Sequence, residues 1–251
     1  MIGSALEDAI LELKGEVSVE LADTPAALRE AQQVRYQVYC VERGFLTGEN
    51  GFERDDYDDF ARHAVVRWRQ TGEVVGTVRL VLPKSPAGGD DFPIQHVCEP
   101  ALMRGYLTST TGEVSRFALA KQATKQMRCS SAATSLLRLA LIQGAVWLSA
   151  EAGHTHWLAV MEPTLVRLLR ATGLYFLPIG PLVDYHGLRQ PVVAELVPTL
   201  ARMADEQPVV WDFVTRSGSC FPASSTYRLA PANYRPVAAL RSLTLAEVGA
   251  A

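Results

Sequence analysis

The segment from Glu113 to Met161 constrains the fold more than any other. EVSRFALA (113–120) has the composition of a strand, and HTHWLAVM (154–161) reads as another. Between them runs a long apolar helix, about Ser135 to Ala152, closed by Gly153. A strand, a buried helix and a second strand make a crossover unit, which sets two strands parallel in one sheet. Upstream, HAVVRW (63–68) and VVGTVRLVL (74–82) flank a turn at Thr71-Gly72 and predict an antiparallel hairpin. VSVELA (17–22) is a short strand, and Thr24-Pro25 opens a helix to about Glu42 with Leu28, Ala31, Val34, Val38 and Val41 on one face. Glu162-Pro163 starts a further helix ending at Gly173, followed by strands near 174–182 and 191–197. The order predicts an α/β (α+β) domain over residues 1–200: one mixed, twisted central sheet with helices on both faces. Residues 201–251 are expected to be a C-terminal helix and a loosely ordered extension.

Composition excludes several functions. The chain of 251 residues has a net charge of −3, which disfavours a dedicated nucleic-acid binder. No basic, then apolar, N-terminal pattern of a signal peptide is present, and the longest apolar stretch (Leu136 to Ala150) is interrupted and short of a span. A cytoplasmic protein without stable membrane insertion is expected, with Cys40, Cys98, Cys129 and Cys220 as reduced thiols. His154 and His156 alternate on one strand without a third convergent ligand, so no metal is expected. A G-x-S-x-G elbow is absent, which disfavours a serine hydrolase.

The charge is unevenly distributed. Residues 49–59 hold six acids and one base, interleaved with Phe52 and Tyr57. Residues 114–150 hold five bases and no acid. The aromatic residues imply packing of the acidic run against the body, and partly buried carboxylates then demand cations. Arg35 in the first helix and Arg79 and Arg116 in apolar strands are suitable partners. Such residues serve equally as plain structural ion pairs or as a polar site built on the sheet.

Five segments in this order carry a family resemblance: Arg35-x3-Tyr39-x5-Phe45, Glu53-x-Asp55-x-Tyr57-Asp58, Gly76-x-Val78-Arg79-Leu80, Phe92-Pro93-Ile94 and Glu113-Val114-Ser115-Arg116-Phe117. Together they resemble the acyl-homoserine lactone synthases of the GNAT superfamily, with Tyr39 and Phe45 where that family has Phe and Trp. RYQVYCVERGFL (35–46) and GEVSRFALAK (112–121) are also similar to the acyltransferases associated with PEP-CTERM and exosortase systems. Long-chain N-acyl amino acid synthases share the likeness. It implies a GNAT-like sheet with a V-shaped splay between the fourth and fifth strands, where a thioester donor enters. The Gly-rich phosphate loop of coenzyme A-dependent members is replaced here by RCSSAATS (128–135), a departure shared with lactone synthases, whose donor is acyl carrier protein.

The resemblance implies an N-acyltransferase with no bound cofactor, moving a fatty acyl group from acyl carrier protein or acyl-CoA to the primary amine of an amino acid-like acceptor. Glu113 would accept the ammonium proton or hold its water, with Arg116 beside it. Arg35, Tyr39, Phe45, Asp55, Asp58 and Arg79 would surround the acceptor as an ion-pair network that includes Glu113, whose carboxyl pKa the arginines would lower. Leu136, Leu139, Ile142, Trp147 and Trp157 would line the acyl chain, or serve only as core. Lys121, Lys125 and Arg128 would dock the acidic carrier protein. Two other readings stay open: lactone synthesis from S-adenosylmethionine, and a non-enzymatic module that binds acyl carrier protein.

Overall fold

A computed structural model describes residues 2–84, 91–126 and 131–220. Its centre is an eight-stranded mixed sheet of order β1-β2-β3-β4-β5-β8-β6, with β7 paired to β8. β1 (Val17–Leu21), β2 (Ala61–Trp68), β3 (Val74–Val81) and β4 (Thr111–Leu119) run antiparallel. β5 (His156–Met161) is parallel to β4, and β8 (Leu188–Glu195) is antiparallel to β5. The crossover from β4 to β5 is α4 (Ser131–Ala152).

α4 packs on the face carrying Val19, Ala64 and Val78, where a Cβ on Gly144 would sit 2.9 Å from that of Ala64. Glycine there lets the helix approach the sheet closely. α1 (Ile2–Leu13) lies on the same helix, burying Leu6, Ala9 and Ile10; its amphipathic pattern was not part of the expected element order. By strand alternation Arg79 points to the opposite face, which α2 (Pro25–Arg35) covers. Thr24 caps α2, its Oγ accepting from the Ala27 N–H at 3.2 Å, and Pro25 holds the first position.

Helical structure runs to Glu42 as expected, but residues Tyr36–Glu42 form a π-helical segment. The wider turn breaks the heptad-like face, so Val38 is buried while Val41 is 57% exposed. The expected loop after β4 contains a short helix, α3 (Lys121–Gln126). The strand expected over 174–182 is reduced to β6 (Leu177–Pro178), with β7 (Val183–Asp184) beyond it. α5 (Pro163–Ala171) follows β5. At 22 residues α4 is long and apolar enough for a membrane span, contrary to the sequence reading, yet it is mostly buried as the core helix.

The boundary expected at residue 200 falls inside α6 (Leu196–Glu206), where Leu200 and Met203 are buried. α7 (Pro208–Thr215) packs against α4 and α1, adding Val210 and Val214 to the same core. The apolar core thus continues past the expected boundary. The extension from residue 221 lies outside the described residues.

Candidate active site

β4 and β5 pair for three residues only: Thr111 with His156, Gly112 with Trp157, and Glu113 with Leu158. Beyond Glu113 the strands separate, and this is the splay expected between the fourth and fifth strands. A cleft of about 440 Å³ opens there, lined by Val114 to Phe117 on one side and Ala159 to Glu162 on the other.

β4 also bulges. Thr77 pairs with Ala118 but Arg79 pairs with Ser115, so β4 has one extra residue, and Arg116 adopts φ +46°. A non-glycine residue in this region marks local strain held by its surroundings. The extra residue resets the alternation. Ser115 accepts from Arg79 while Arg116 turns to Glu53 and Asp55, so neighbouring residues serve one polar face.

On that face three arginines meet three carboxylates. Arg35 donates to Glu53 at 2.5 Å and, through both terminal nitrogens, to Asp58 at 2.7 and 3.0 Å. Arg79 reaches Asp55 at 2.5 Å and Asp58 at 2.8 Å. Arg116 grips Glu53 at 2.8 and 3.0 Å and Asp55 at 2.7 Å. Asp58 lies in a short 3-10 turn (Asp56–Phe60) that Asp55 caps and Glu53 precedes, and its start is fixed by two of these groups: Asp55 accepts the Tyr57 N–H, and Asp58 accepts the Asp55 N–H. Burial pushes the Glu53, Asp55 and Asp58 carboxyls upward, but the arginine hydrogen bonds outweigh it and hold all three below the usual range.

Arg35 and Arg79 are fully buried and do not line the cleft; Arg116 is the network arginine that does. Glu53 was not among the expected site residues, though it joins Arg35 to Arg116. Its place at the head of the segment Glu53-x-Asp55-x-Tyr57-Asp58 was the signal that could have found it. His63 was also missed. It faces Arg79 across β2 and β3 and sits 3.6 Å from Asp58. Burial, then the charge of Arg35, lowers its pKa to about 4, so it is neutral near pH 7.

Glu113 does not join the network. It is buried between its register partners Val81 and Leu158, and it accepts the Ile94 N–H at 2.8 Å. The expected depression of its pKa is therefore reversed. Burial raises it to about 8, against opposing pulls from Ile94, Arg79 and Arg116. Pro93-Ile94 belongs to a 3-10 turn whose start is held by Gln95, which accepts the Asp91 and Phe92 N–H groups at 2.9 Å each.

Tyr39 and Phe45 line the cleft, Tyr39 under Arg116 and Phe45 stacked on His186 at 5.2 Å. Of the five residues expected along the acyl chain, Ile142 and Trp157 line the cleft. Leu136 and Leu139 are buried core, and Trp147 packs under Arg216 at 4.0 Å. The cleft-facing row of α4 is Thr134, Arg138 and Ile142 at four-residue spacing. The few polar residues of α4 leave it with little amphipathic periodicity, so the sequence did not mark that row. Trp157 is fully buried and donates to Ser149 at 2.7 Å. Lys121 and Lys125 are exposed on α3, and Lys121 borders the cleft. Arg128 lies outside the described residues.

Residues 34–132 match the acetyltransferase (GNAT) domain family. Among solved structures, TofI in its apo form is 25% identical, with a TM-score of 0.54 over 77% of this chain and 98% of that one. BjaI, a CoA-dependent acyl-homoserine lactone synthase with SAM and isopentyl-CoA, is 19% identical, with a TM-score of 0.57 over 82% and 99%. FeeM, an N-acyl amino acid synthase from uncultured soil microbes, is 13% identical, with a TM-score of 0.54 over 74% and 93%. A search of the curated proteins finds no significant match. The fold, with its splay between β4 and β5, is that of the GNAT enzymes. Beyond the domain match over residues 34–132, the chain is similar in structure to synthases of acyl-homoserine lactones and N-acyl amino acids.

Proposed function

We propose that the protein moves a long-chain acyl group from a carrier-protein or coenzyme A thioester to the primary amine of an amino acid-like acceptor. The observation that carries this reading is Glu113, a buried carboxyl at the last residue pair before the splay. An amine attacking a thioester forms a C–N bond, breaks the C–S bond and must shed a proton. With its pKa raised to about 8, Glu113 in its carboxylate form is a stronger proton acceptor than an ordinary carboxylate. The proton passes to Glu113, directly or through a water, and is available to the leaving thiolate. Past Glu113, β4 and β5 are unpaired among the described residues, and a backbone N–H of β4 on that side would hold the oxyanion.

The donor would enter at the open end of the splay, near Lys121 and Lys125, whose charge suits an acidic carrier protein. Ile142 and Trp157 would contact the acyl chain. Arg35, Arg79, Asp55 and Asp58 would act at one remove, by fixing the acidic turn that presents Arg116 and supports Tyr39. The reaction belongs to the cytoplasm, where these donors are made.

Lactone synthesis is the second reading, favoured by the likeness to TofI and BjaI. One assay tests both. Carrier-protein and coenzyme A thioesters of varied length are offered with pooled amines, with and without S-adenosylmethionine, while thiol release and product mass are followed. An N-acyl amino acid supports the first reading and a lactone the second. No turnover with any long-chain donor rejects both.

A further inference from the structure

The residues just after the π-helical segment cross the open end of the splay. β4 and β5 are parallel, so their C-terminal ends form its two rims, carried on into Lys121 and Glu162. Glu42 grips the β4 rim: its carboxylate accepts the backbone N–H groups of Lys121 and Gln122, each at 3.2 Å. The next residue grips the other rim. Arg43 donates to Glu162 at 2.9 Å. Phe45 adds a second link on that side, stacked on His186 in the turn before β8. Arg189 anchors this turn through the carbonyls of His186 and Leu188, and stands 3.5 Å from Glu162.

We propose that residues 42–45 form a strap over the donor's path, released at Arg43–Glu162 to admit the thioester arm and re-formed over it. The inference rests on the acyl-donor reading above. The strap is too far from Glu113 to hold an acceptor's reacting end, because Glu162 is four residues beyond Leu158, about 13 Å along a strand. The span matches a donor arm reaching from the rim to the apex. The two links are unequal. Glu42 holds two backbone groups at the start of α3, whereas Arg43 and Glu162 are both more than one-third exposed, the weak kind of ion pair. The strap therefore hinges at Glu42 and releases at Arg43. The π-helical geometry supports this, since it shifts the register so that Val41 turns outward and the next two residues straddle the gap.

The test fixes the strap chemically. In a Cys40→Ser, Cys129→Ser background, Arg43→Cys and Glu162→Cys are introduced and joined with a short bis-maleimide; N-ethylmaleimide caps the same positions without joining them. Mass spectrometry verifies each product, and thermal melting verifies its fold. Binding of dodecanoyl-coenzyme A is measured by calorimetry, with turnover in parallel. The bridged protein is expected to bind at least tenfold more weakly than the capped one. Equal binding and turnover in both overturns the strap and leaves the acyl-donor reading intact. If the unmodified protein and both products fail to bind or turn over either dodecanoyl-coenzyme A or the dodecanoyl carrier-protein thioester, the donor reading falls and the strap with it. Separately, Arg43→Ala is expected to speed dodecanoyl-coenzyme A dissociation several-fold, and an unchanged rate counts against the release point.

Discussion

At the scale of single residues, the role proposed for Glu113 sets catalysis against stability. Its folded-state pKa is raised to about 8, so folding favours its neutral form. That contribution is complete below the unfolded pKa near 4.5 and is lost as pH rises through 8. Glu113→Gln keeps the neutral shape without the ionisable group. Relative to the parent, its thermal unfolding temperature is expected to climb from pH 5 to pH 8 and level off above. Turnover is expected to fall about 10²- to 10⁴-fold with donor binding retained. Loss of donor binding in this variant would contradict the assigned role. In the parent, kcat/KM is expected to rise with pH through a limb near 8 as the carboxylate forms. The acidic side of the stability profile belongs to other groups. His63, depressed to about 4, contributes above pH 6.5 and loses its share as pH falls toward 4. Glu53, Asp55 and Asp58, held low by arginines, lose theirs at still lower pH.

Arg35→Ala tests the buried network. It leaves Glu53 and Asp58 each with one cationic partner fewer in a buried setting. A loss of about 3–5 kcal/mol is expected in denaturant unfolding. A loss under about 1 kcal/mol would mean that the turn carrying the acids relaxes into solvent.

Among elements, α4 and β4 show what a sequence can and cannot disclose. The strand, helix and strand from 111 to 161 were legible because apolar runs bounded by Gly153 and polar turns permit little else. Arg79 and Arg116 were legible as charges in apolar strands that need partners. Asp55 and Asp58 were named as partners among the six acids of residues 49–59, but Glu53, which precedes the 3-10 turn and joins Arg35 to Arg116, was not. The sequence singled out Glu113, but not its full burial between Val81 and Leu158, so its pKa was expected to move the wrong way. The bulge at Arg116 has no sequence mark, since no glycine signals its positive φ. Gly144 tests the closeness of α4 to the sheet. Gly144→Val is expected to cost about 1–3 kcal/mol through overpacking against Ala64 and Val78, read as a lowered melting temperature. An unchanged melting temperature would show that α4 shifts freely.

For the whole molecule, the net charge of −3 conceals opposed regions: acids folded inward onto arginines, and Lys121 and Lys125 turned outward on α3, Lys121 at the cleft. Lys121→Glu with Lys125→Glu is expected to weaken association with acyl carrier protein about tenfold or more at low ionic strength. The difference should narrow as salt shortens the screening length. Surface-plasmon titrations at several salt concentrations check this, and an affinity indifferent to the substitutions would remove the docking face.

The three-residue seam between β4 and β5 has a mechanical consequence. It divides the sheet into two plates that share one short edge, like the covers of a book at the spine. A change in the angle between such plates moves the far rims most and the spine least. Glu113 is on the spine. On the proposed reading, donors of different girth would be taken up by opening angle, while the Glu113 carboxyl keeps its place.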